Sequence, residues 1–154
     1  MTWSETRRAI AGAVAGLLYG SVLAFLSLFA AGAGHGTIIP LFLSSAPLAV
    51  FYLVPRAAAG GDWPLYAILY GGPFVWAVLG LLVALAGRWT RLAASLLLLH
   101  YLSGLALVAG TGADLRGLAG ELPDGLLMWA PVYLLGQVAL WWRIIGGSRL
   151  RPTA

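Results

Sequence analysis

The chain has no cysteine and no lysine, and only five of its 154 residues are acidic. Without cysteine there can be no disulfide, thiolate metal site, iron–sulfur cluster or c-type haem attachment. Charge of either sign is scarce: 9% of residues are charged, against 61% hydrophobic and a mean hydropathy of +0.92. A soluble globular domain carries about 25% charged residues. The acids, Glu5, Asp62, Asp114, Glu121 and Asp124, all lie outside the apolar runs. Coupled transporters and pumps hold a carboxylate or a paired charge within the membrane, so this placement argues against them. No run carries an arginine series, which argues against voltage sensing.

What the chain has in place of charge is five apolar stretches, at 9–31, 37–54, 65–86, 92–110 and 126–145. A hydrocarbon core of ~30 Å takes ~20 helical residues to cross. Four of the five stretches reach that length comfortably, and they are continuously apolar where β-strands would alternate. The expected fold is therefore an all-α integral membrane protein, a compact helical bundle of five apolar helical segments with at least four spanning. These segments take up most of residues 1–154, which read as one transmembrane domain with no separate soluble unit. A cleaved leader would resemble the first run, but this run is longer than an ordinary leader core, and we expect it to be retained as a span.

The net charge of +4 does not point to nucleic acid, because the nine arginines flank the apolar runs without forming a stripe. They do bear on topology. The stretch 37–54 is the shortest, holds Pro40 and Pro47 and stops at Pro55, so it suits either a kinked span or a re-entrant segment. If it does not cross and the N-terminus is inside, seven arginines are cytoplasmic and two (Arg56 and Arg116) are external. If all five stretches cross, the split is five against four with the N-terminus outside and four against five with it inside. The positive-inside rule favours four spans and hydropathy favours five, so both stay open. The two better models put the C-terminus in the cytoplasm, in what we expect to be a bacterial cytoplasmic membrane.

The first run carries Gly12, Gly16 and Gly20, four residues apart on one helical face. Such a row lets another backbone come close, within the chain or in a partner. Gly71-Gly72-Pro73 and Pro131 fall inside later runs, where proline bends helices. Trp141-Trp142-Arg143 reads as an interfacial belt followed by a charge.

Few residues could carry chemistry. His100 lies near the centre of one run with Ser103 on its face, and Gln137 lies one turn after Tyr133 in the last run. Placed at similar depth, these four either fasten the bundle by hydrogen bonds or line a midplane pocket for a lipid or quinone. His100 with His35, the only other histidine, could ligate a b-type haem, although their expected depths differ by ~10–15 Å. Ser103 and His100 on one helix make a structural bond more readily than a dyad, and the sequence leans against catalysis.

The expected function is thus a non-catalytic scaffold or accessory subunit that packs through its glycine-rich first helix, with no cofactor and no metal. The alternatives are a binder or carrier of a lipophilic ligand and, third, a haem-carrying subunit. The expected partners are the lipid bilayer and a second copy or a membrane subunit.

Overall fold

A computed structural model describes residues 2–32, 63–85, 89–110 and 123–149. Among these residues are four α-helices and no strand: α1 (Trp3–Gly32), α2 (Trp63–Ala84), α3 (Thr90–Gly110) and α4 (Pro123–Arg149). The expected segment 37–54 and His35 lie outside the described residues. One described helical segment, Trp3–Phe29, is long and apolar enough to cross a membrane, and Tyr70–Ala84 is a shorter apolar helix. The five-segment expectation therefore reduces to an all-helical bundle of four described helices.

α1 begins six residues ahead of its apolar run because Thr2 and Glu5 form a capping box. The Thr2 N–H donates to Glu5 Oε2 at 2.8 Å, and the Glu5 N–H donates to Thr2 Oγ1 at 3.3 Å. α3 is entered through Trp89, whose carbonyl accepts the Ala93 N–H at 2.9 Å. α4 starts at Pro123, where the missing N–H costs nothing because a first-turn donor has no helical partner.

The helices run alternately up and down. Gly12 lies against Gly80 and Ala84, Gly16 against Trp76, and Gly20 against Pro73. Rising numbers in α1 meet falling numbers in α2, so the two are antiparallel. α4 also runs against α1, with Gly136 beside Tyr19 and Arg143 lining the same groove as Gly12. The short link between α2 and α3 makes them antiparallel neighbours. One end of the bundle thus gathers Arg7, Arg8, Arg91, Arg143 and Arg149, and Gly32 and Trp63 both lie at the other.

What is inside and what is outside is unusual. The buried set joins Leu23, Trp76, Leu79, Leu97 and Trp129 to the polar residues Ser27, His100, Ser103 and Gln137. The exposed set is large and apolar, including Leu18, Phe25, Phe74, Leu105, Leu135 (71%) and Trp142 (79%). On α1, Gly12, Gly16, Gly20, Leu23 and Ser27 face the other helices, and Ile10, Val14, Leu18, Val22, Phe25 and Phe29 face out. Glycines fill the close-approach positions of the inner face, and both faces of this helix are largely apolar.

Candidate functional site: a buried aromatic network beside an open groove

Two of the buried polar side chains, His100 and Gln137, belong to one network with tyrosines and a tryptophan across α1, α3 and α4. His100 Nε2 and the Tyr133 hydroxyl are 2.7 Å apart, and either can donate, depending on the imidazole tautomer. The Tyr133 carbonyl accepts the Tyr19 hydroxyl at 2.8 Å. Gln137 donates through Nε2 to Tyr19 Oη at 3.2 Å and accepts from the Tyr101 hydroxyl at 2.7 Å. Trp141 Nε1–H donates to Tyr101 Oη at 2.8 Å. Among the described residues no buried side-chain nitrogen or oxygen lacks a hydrogen-bond partner. In an apolar surrounding each broken link would strand a polar atom, so the network ties three helices into one arrangement.

The network is packed in rings. Trp76 from α2 meets His100 edge-on at 4.8 Å and Tyr19 edge-on at 5.0 Å, and Trp129 stacks on Tyr133 at 4.5 Å. These are the offset and edge geometries that the aromatic quadrupole favours. His100 is fully buried and Trp76 nearly so.

The four residues singled out in the sequence are all buried, and of the partners open to His100, namely Gln137, Tyr133 or a backbone carbonyl, the structure shows Tyr133. His100 takes Tyr133, and Gln137 takes Tyr101 and Tyr19. Ser103 is buried on the same face as His100, yet among the described residues no hydrogen bond joins it to the network. Tyr19, Tyr101 and Trp76 do not stand out in the sequence. Two signals point to Tyr19: it follows Gly16 by three residues on the glycine face, and Gly136 leaves room for its ring. Trp141 also corrects the expected aromatic belt. It turns inward to Tyr101 while Trp142 points out, because consecutive helical residues lie about 100° apart.

The surroundings of His100 do not fit an axial haem ligand. Its Nε2 is engaged by Tyr133, and the rings of Trp76 and Tyr101 close on it at 4.8 and 5.4 Å. Among the described residues no group of three or more histidine, cysteine or carboxylate side chains gathers as a metal site.

The glycine row of α1 is occupied. A Cβ at Gly12 would strike the Gly80 carbonyl, and one at Gly16 the Trp76 carbonyl. At Gly20 it would come within 2.7 Å of Pro73 Cα. These obstacles are mostly backbone, which cannot swing aside as a side chain can. Beside this seam runs an open groove of about 310 Å³ between α1, α2 and α4. Its described lining is almost wholly apolar, with Tyr19 at one end and Arg143 at the other; His100, Ser103, Tyr133 and Gln137 are not part of it. Set against known proteins, the chain matches no family model, no curated protein and no solved structure.

Proposed function

We propose that the chain is a small multi-pass membrane protein of non-catalytic type, a scaffold or accessory subunit of a bacterial cytoplasmic membrane. The observation that carries this reading is the inverted partition of side chains. His100, Gln137, Ser103 and Ser27 are buried, while leucines, phenylalanines and Trp142 are exposed along all four helices. In water so much exposed apolar surface drives aggregation. In lipid it is the ordinary outer face, and small residues and interhelical hydrogen bonds replace the hydrophobic effect as the fastening.

Topology follows from the same bundle. Because α1 and α2 are antiparallel, the chain leaves α1 and enters α2 at one end, which favours four crossings with both termini on the arginine-rich side. The positive-inside rule makes that side cytoplasmic. The glycine face of α1 is taken up by α2 of the same chain, so a second copy or a partner subunit would meet an outward face. The closed and fully paired network around Tyr133 suits a structural role better than a reactive one.

The first test is extraction. The chain should stay in the membrane pellet at alkaline pH and dissolve only with detergent; release into the aqueous phase contradicts the membrane reading. Cysteines placed at Thr2 and Gly146 should both label with an impermeant maleimide from the cytoplasmic side only. Gly146 tolerates the change because no atom lies within 4 Å of an added Cβ. Labelling from opposite sides contradicts four crossings. Native mass spectrometry from a mild detergent should show multiples of the chain or a complex with another polypeptide, and monomer alone contradicts the scaffold reading. A second reading, a binder of a lipophilic ligand, is favoured by the groove beside the glycine seam.

A further inference from the structure

We propose that this groove holds one acyl chain of an anionic phospholipid, with the headgroup phosphate on Arg143. The proposal rests on the membrane reading above.

Three observations converge on that occupant. The groove is apolar and open, and its volume of about 310 Å³ lies at the low end of the ~300–1,000 Å³ typical of small-molecule sites. Gly136 to Arg143 is seven residues of α4, roughly 10 Å of helix at 1.5 Å each, so the groove is an elongated slot. Tyr19, at its inner end, already donates to Tyr133 and accepts from Gln137, so the interior asks for hydrocarbon and not for a polar ligand.

Charge decides the headgroup. Arg143 lines the groove at the end that also gathers Arg7, Arg8 and Arg91, and no acidic side chain belongs to the described lining. Among the described residues Arg143 makes no ion pair. A guanidinium beside an apolar slot complements a phosphate ester carrying hydrocarbon, and it can bind that phosphate through two parallel N–H donors. In the proposed topology this end faces the cytoplasmic leaflet, where anionic lipids concentrate and where basic pockets between helices take up their headgroups. A zwitterionic lipid offers the same tail, but its own cation competes for the phosphate.

The test is native mass spectrometry of the full chain in detergent, titrated in parallel with a phosphatidylglycerol and a phosphatidylcholine of identical acyl chains. One phosphatidylglycerol per chain should be retained at about a tenth of the phosphatidylcholine concentration needed for equal occupancy. Arg143→Gln should remove that preference, and Arg143→Lys should keep part of it. Ala139→Phe should lower occupancy by both lipids about tenfold by filling the slot. Ala15→Phe does the same from the α1 wall; both alanines are exposed as well as groove-lining, so either variant can add bulk without entering the core. Equal retention of the two lipids overturns the proposal. So does a preference that survives Arg143→Gln, or binding of a second copy in place of lipid that Ala139→Phe abolishes. A chain that needs no detergent overturns the membrane reading instead. One that needs detergent but ignores headgroup charge overturns only the lipid site.

Discussion

The bundle has two seams, and they are fastened by opposite means. Between α1 and α2 the contact is backbone against backbone, with Gly12, Gly16 and Gly80 removing the side chains that would keep the helices apart. Between α3, α4 and the Tyr19 face of α1 the contact is ring and hydrogen bond, with Tyr133 touching His100, Tyr19 and Trp129. The first seam gains its energy from many small dispersion contacts at short range. The second gains less from closeness and more from polar groups that have no other partner in an apolar surrounding. Trp76 joins the seams: its carbonyl lies over Gly16 and its ring lies against His100 and Tyr19.

The difference predicts how each seam breaks. The largest effect should come from Gly16→Ile. The new side chain meets the Trp76 carbonyl, which is fixed in a helix, so α1 must move away from α2 as a whole. A loss of at least ~3 kcal/mol is expected, the upper range for overpacking. It should appear as loss of the monodisperse species and a collapse of thermal stability in detergent. A variant that keeps wild-type stability would mean that α1 does not lie on α2 in this register.

Tyr133→Phe should do less and do it differently. It removes the hydroxyl bonded to His100 and leaves the stacked ring and the backbone acceptor in place. About 1–2 kcal/mol is expected, the scale of interhelical hydrogen bonds in membranes. The helices should stay together, so unfolding in sodium dodecyl sulfate should shift while the species remains monodisperse. A collapse as complete as that of Gly16→Ile would erase the distinction between the seams.

Trp142→Leu is the smallest change. Trp142 is 79% exposed and faces away from both seams, and leucine is as content in hydrocarbon. A shift under ~0.5 kcal/mol is expected in a bilayer, as for surface positions generally. A larger loss would place this face against another polypeptide.

The sequence shows one seam far better than the other, for a physical reason. Three glycines four residues apart mark a close approach without reference to anything else in the chain, and four of the apolar runs mark the described helices, three of them to within a few residues. α1 starts earlier than its run because Thr2 and Glu5, which are polar, cap it. The aromatic network is another matter. His100, Ser103, Tyr133 and Gln137 stand out as polar residues in apolar runs, yet their partners Trp76 and Tyr101 look like ordinary membrane aromatics. Spacing within a helix says which residues share its face; it does not say which residue of another helix they meet. With inner and outer faces of α1 both apolar, no amphipathic pattern orients that helix either. The groove was illegible for the same reason, since it is made by the angle at which three helices meet.

A membrane bundle requires that the large apolar side chains on its outer faces meet lipid. The chain has no cysteine, so a nitroxide can be attached at one chosen position, and Leu135 (71% exposed, on α4) is the most informative. In liposomes, Leu135→Cys carrying the spin label should collide readily with molecular oxygen and hardly at all with a water-soluble nickel chelate. High collision with the chelate at Leu135 would put that face in water and contradict the membrane bundle.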